Sequence, residues 1–130
     1  MRQFVKWAAI LATVAAGWTV IAPAIWQPDH AQALTNVLLG EFAALVLGHT
    51  AYRLTSGTVP SMSAALGGAL LGIVIALSPI VFGLVLGLTT SNMVCGGLVA
   101  VAGIASAVVA RVQPVSRQSQ RAGGDRSEVA

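Results

Sequence analysis

Between Leu54 and Ala110 the chain runs for 57 residues without an Asp, Glu, Lys, Arg or His. A soluble domain carries about a quarter charged residues to keep its surface in water, and a stretch of this length has no surface of that kind to offer. Over all 130 residues, 56% are hydrophobic and 8% charged. The sequence therefore predicts an all-α integral membrane protein.

The chain also repeats itself at an offset of 56 residues without gaps: Ala22-Pro23 falls on Ser78-Pro79, Thr35-Asn36 on Ser91-Asn92 and Gly40 on Gly96. Ala8-Ala9, Ala44 and Ala51 fall on Ala64-Ala65, Ala100 and Ala107 at the same offset. A helix needs about 20 apolar residues to cross the hydrocarbon layer. Four segments qualify, at about Phe4–Trp26, Leu34–Leu54, Ser63–Leu86 and Asn92–Val112. Each repeat (about 4–54 and 60–110) thus holds two spans, and both copies enter the bilayer in the same direction. They form two parallel two-helix repeats, unlike the inverted repeats of many alternating-access transporters. The transmembrane domain is expected over 1–112. The polar stretch 113–130 is expected to be a disordered cytoplasmic tail whose arginines are drawn to anionic lipid.

Seven basic and four acidic residues leave a net charge of +3. The basic residues flank the spans: Arg2 and Lys6 precede the first, Arg53 ends the second, and Arg111, Arg117, Arg121 and Arg126 follow the fourth. Such placement is a topology signal, not the one-faced basic patch of a nucleic-acid binder. By the positive-inside rule both termini are cytoplasmic in a multi-pass protein of the cell (plasma or inner) membrane. Ala31-Gln32-Ala33 also resembles a signal-peptide cleavage site. The 20-residue apolar run from Trp7 to Trp26 and its counterpart in the third span instead predict a retained first helix. Trp7 and Trp26 are placed at the headgroups and Trp18 against another helix. Cys95 is expected to be a small buried hydrophobe.

Helices in lipid associate through small residues that let backbones approach. Ala8, Ala12 and Ala16 form such a stripe in the first helix, and Ala64, Gly68, Gly72 and Ala76 in the third. Gly40, Ala44 and Gly48 do so in the second, and Gly96 and Ala100 in the fourth. Pro23 and Pro79 each remove a backbone donor, freeing the carbonyls of Thr19 and Ile75. Asn36 and Asn92 are expected either to cap the following helices or to reach the proline-freed carbonyl of their own repeat, locking each hairpin.

The proline near the end of the first of two helices, in Ala22-Pro23 and Leu77-Ser78-Pro79, followed by Asn36 with Gly40 and Asn92 with Gly96, resembles the SPW-repeat family of small membrane proteins. The resemblance covers about residues 5–110 and implies two copies of a two-helix unit, with no established activity. The chain departs from the family where Ala24 and Ile80 stand in place of the name-giving tryptophan; Trp26 and Phe82 follow three residues after each proline.

Only Glu41 and His49 place titratable groups well inside a span, and an intramembrane carboxyl marks a functional site by default. Glu41 is expected within two turns of the outer end of its span. Eight residues turn a helix by about 80°, which stacks the two side chains poorly for a proton relay. Their repeat counterparts are Gly97 and Ala105, so neither belongs to the shared scaffold. The sequence holds no HExxH, no GxxxxGK and no nucleophile with a paired base. It predicts no enzyme, no cofactor and no metal site. Two functional classes follow. One is a structural or accessory membrane protein that packs against itself or another membrane protein in the lipid bilayer. The other is a small proton-coupled transporter using Glu41, a size and charge pattern that resembles the small multidrug-resistance family. That family carries its glutamate in the first helix, however, and Glu41 lies in the second.

Overall fold

The computed structural model describes residues 2–83 and 85–128, with side chains described through Val112. Four helices follow in order: α1 (Arg2–Trp26), α2 (His30–Thr55), α3 (Met62–Phe82) and α4 (Leu86–Glu128). The first three, and the Leu86–Val112 part of α4, are long and apolar enough to cross a membrane.

The 56-residue offset governs the helix ends as well as the side chains. Trp26 and Phe82 close α1 and α3, and His30 and Leu86 open α2 and α4. Just past each closing residue the backbone turns left-handed, at Gln27 (φ 44°) and Gly83 (φ 118°). The N–H of each donates to the carbonyl of the proline four residues back, at 2.9 Å to Pro23 and 3.0 Å to Pro79. A left-handed residue after the last turn returns its N–H to an otherwise orphaned carbonyl. Each proline near the helix end is therefore part of the stop signal. The starts of α2 and α3 are capped by side chains: an Asp29 carboxyl oxygen accepts from the Gln32 N–H at 3.0 Å, and the Ser61 hydroxyl accepts from the Ala64 N–H at 3.5 Å.

These ends correct the boundaries expected from hydropathy. α2 starts at His30 rather than Leu34, because Asp29 supplies its cap. α3 stops at Phe82 rather than Leu86, because Gly83 leaves helical φ/ψ space. α4 starts at Leu86 rather than Asn92. It also continues to Glu128, where a disordered tail was expected from residue 113. The continuation runs through Pro114, Gly123 and Gly124, which oppose a helix, so it rests on the span ahead of it, where the cost of nucleation is already met. The expected attraction of Arg117, Arg121 and Arg126 to lipid concerns side chains outside those described, and residues 129–130 of the tail lie outside the described residues.

The helices pack in chain order around a bundle, with α1 against α2 and α4, and α3 against α2 and α4. The two hairpins thus lie side by side, related by a pseudo-twofold axis along the bundle. The central core is Ala12, Ala16, Ala43, Leu47, Ile75, Val99 and Ala102. A second cluster of Val5, Ala9, Ala51, Leu54 and Val109 lies toward the end that carries the amino terminus. Most of these side chains are small, so backbone contact carries the packing. A Cβ on Gly96 would lie 2.6 Å from the Ala76 nitrogen, and one on Gly103 would meet the backbone of Ala69 and Ala65. Gly72 meets the backbone of Ala100 and Gly96 in the same way. In the first hairpin Gly40 rests on Val20 and on the Ala16 carbonyl. The position equivalent to Gly103 is Leu47, and its Cδ2 lies 3.2 Å from the Cβ position of Gly68. At this position the repeats differ: where the second closes on a glycine, the first sends a leucine across the bundle to fill the space over Gly68.

At the end shared by the amino terminus and the α2–α3 turn, Arg53 Nε donates to the Val59 carbonyl at 2.8 Å, and an Arg2 guanidinium nitrogen donates to the Thr58 carbonyl at 3.3 Å.

Candidate functional site

Polar groups in the bundle occur in two settings, one on its axis and one on its outer surface. On the axis, Asn36 and Asn92 each lie six residues into their helices, 1% and 0% exposed. Their amides form a reciprocal pair: Asn36 Nδ2 donates to Asn92 Oδ1, and Asn92 Nδ2 to Asn36 Oδ1, both at 2.9 Å. Asn92 Nδ2 also donates to Ser78 Oγ at 3.1 Å. The Ser78 hydroxyl in turn donates to the Ile75 carbonyl at 2.9 Å, the group that Pro79 deprives of its helical donor. Gln32 Nε2 donates to Asn36 Oδ1 at 2.9 Å and to Ser78 Oγ at 3.4 Å, while Gln32 Oε1 is buried without a partner.

This arrangement corrects both roles expected for the asparagines. They do not cap helices, because α2 and α4 begin one and a half turns earlier. They do not serve the proline-freed carbonyls either, since Ser78 reaches that of Ile75. The amides join one repeat to the other instead of locking each hairpin. Gln32 and Ser78 are additions peculiar to one copy, as their counterparts are Leu88 and Ala22. Pro23 and Pro79 are both buried beside this cluster's helices, and Gly40 and Gly96 lie one turn beyond the asparagines at the close helix crossings.

Glu41 and His49 lie elsewhere. Both are exposed on the outer face of α2, a surface that also presents Leu38, Leu45 and Tyr52 at 47%, 70% and 69% exposure. Glu41 is eleven residues from the start of α2, about 17 Å along the helix. That places it at the middle of α2, about two turns from Leu34, where the apolar run of this helix starts. Among the described residues no hydrogen bond or ion pair engages either side chain. On the inner side of the same turns, Ala43 and Leu47 pack against Ala12, Ala16, Ile75 and Val99. The bundle axis next to Glu41 is filled with hydrocarbon, and the structure does not bring Glu41 and His49 together.

Sequence reasoning missed a tryptophan corner near the hairpin end. The Trp18 indole donates to Ser91 Oγ at 2.9 Å, so this residue does pack against another helix, and it meets Trp26 edge-on with centroids 6.3 Å apart. Trp26 occupies the space where a side chain on Gly87 would stand. Together with Leu86, Thr90 and Val94 they line an open, largely apolar groove of about 530 Å³. Glycine at 87 was the available signal, unreadable without knowing which ring it faces. Cys95 is buried, 8% exposed. Among the described residues no cluster of His, Cys, Asp and Glu could hold a metal ion. The chain matches no family model, no curated protein and no solved structure.

Proposed function

We propose that this protein is a structural or accessory component of the cell membrane that acts through its packing surfaces rather than by moving a solute. It is a multi-pass protein with both termini in the cytoplasm. The observation that carries this reading is the position of Glu41. It is the one acidic residue inside a span, and it faces outward while the axis at its depth is packed with Ala12, Ala16, Ala43, Leu47 and Val99. A proton-coupled carrier needs its carboxyl beside a water-filled or substrate-sized cavity. A carboxyl on the outer face, in contrast, is a hydrogen-bonding group offered to another protein in the bilayer. The orientation rests on Arg2, Lys6, Arg53 and Arg111 flanking the spans at one end of the bundle. Membership of the SPW-repeat family belongs to the same proposal, supported by the proline–asparagine–glycine pattern and by helix ends that follow the repeat.

The test is proton and cation flux in proteoliposomes under imposed gradients, comparing the native chain with Glu41→Gln. The proposal expects both to match protein-free vesicles. A flux that the native chain supports and Glu41→Gln abolishes would replace it with the transporter reading.

A further inference from the structure

We propose that the outer face of α2 is a two-fold contact for a second copy of this chain, with Glu41 of each copy hydrogen-bonded to Glu41 of the other. The inference rests on the accessory reading above and names its partner. Glu41 stands at the middle of α2, outward-facing, between Leu38 and Leu45, and hydrocarbon supplies no donor or acceptor to satisfy it. Its partner must therefore come from another helix at the same depth.

The chain's own inventory restricts what a second copy could supply. Its lysines and arginines, Arg2, Lys6, Arg53 and those from Arg111 onward, flank the spans. His49 is eight residues farther along α2, about 12 Å away in depth. Two copies inserted in the same direction are related by an axis along the membrane normal, which brings each residue opposite its own equivalent. Glu41 then meets Glu41. A carboxylic acid in its neutral form has one O–H donor and acceptor capacity to spare, so two of them close a reciprocal pair and need no foreign residue.

The molecule already uses this solution internally. Asn36 and Asn92, equivalent residues at equivalent depth, satisfy each other across the pseudo-twofold axis with two bonds of 2.9 Å. The outer face of α4 lacks the corresponding group. Its equivalent position is Gly97, where a Cβ would have nothing within 4 Å. With the hydrogen-bonding group on α2 alone, the contact is isologous and closes at two copies, whereas matching groups on α2 and α4 would build an open chain.

The experiment measures association of donor- and acceptor-labelled full-length chains in phosphatidylcholine–phosphatidylglycerol vesicles over a range of protein-to-lipid ratios. Glu41→Leu is expected to weaken association about tenfold, the scale of one interhelical hydrogen-bonded pair. Glu41→Gln, whose amide is self-complementary as the asparagines are, should stay within about threefold of the native chain. In a Cys95→Ser background, Leu38→Cys should oxidise to a disulfide-linked dimer and Gly97→Cys should not. Because position 41 is on the surface, helix content and melting of Glu41→Leu should be unchanged, which separates lost association from lost folding. The proposal is overturned if the native chain stays monomeric at every ratio, if Glu41→Leu associates like the native chain, or if Gly97→Cys cross-links in place of Leu38→Cys. It is equally overturned if Glu41-dependent association appears only on adding a host helix with a central lysine, which would assign the face to a basic partner. A monomer that is silent in the flux assay rejects the contact and leaves the accessory reading standing. Glu41-dependent flux rejects the reading itself.

Discussion

Asn36 and Asn92 show how a buried polar residue can be both costly and specifying. Each amide would be an orphan in a core of alanine and valine, yet each is the other's partner because the repeat delivers them to the same depth. Removing one should strand the other, so Asn92→Ala is expected to cost about 1–2 kcal/mol. Asn36→Ala should cost about the same, since each survivor keeps one neighbour: Asn92 still donates to Ser78, as Asn36 in the other variant still accepts from Gln32. The double variant should be less destabilised than the two single losses summed, with a coupling of about 1 kcal/mol in a double-mutant cycle of detergent unfolding. Additive losses would show that the amides act separately. The sequence signalled that these residues matter by placing them at one offset. It could not say that they face each other, because periodicity fixes the face of a helix and not the identity of its neighbour.

At the scale of the helices, the small residues were the most legible part of the fold, and the helix ends the least. Gly72 and Gly96 could be read as packing stripes of the third and fourth helices, though not as each other's contact. Gly103 could not, since its counterpart Leu47 breaks the pattern and works across the bundle instead. Hydropathy misplaced the start of α2, the end of α3 and the start of α4 because it follows the apolar run, whereas α3 stops where Gly83 turns left-handed and α2 starts where Asp29 supplies a cap. The contrast between packed and open glycines gives a test. Gly72→Val drives a branched side chain into the backbone of Ala100 and should cost about 3 kcal/mol or more. Gly67→Ala, with nothing within 4 Å, should be neutral or stabilise by up to about 1 kcal/mol through helix propensity. Thermal unfolding of the two variants in one detergent would distinguish them, and equal losses would contradict the proposed α3–α4 interface.

For the molecule as a whole, the repeat accounts for the bundle, and Glu41 and His49 are the ionisable groups it does not absorb. Both were visible in the sequence. Which way they face was not, because the expected stripe of Gly40, Ala44 and Gly48 misses the buried line, in which Ala43 and Leu47 follow Gly40 while Ala44 and Gly48 are only half-buried. The fold resolves this by turning Gly40, Ala43 and Leu47 inward, which sends Glu41 outward. That single orientation supports a packing protein over a conduit, and it can be measured directly. A spin label at Glu41→Cys, in a Cys95→Ser background in bilayers, reports collisions with oxygen dissolved in the hydrocarbon and with a water-borne nickel chelate. The account predicts nickel collisions as rare as those at Leu45→Cys on the same face. Nickel collisions as frequent as at Ser56→Cys in the α2–α3 turn would place Glu41 in an aqueous pathway and contradict it.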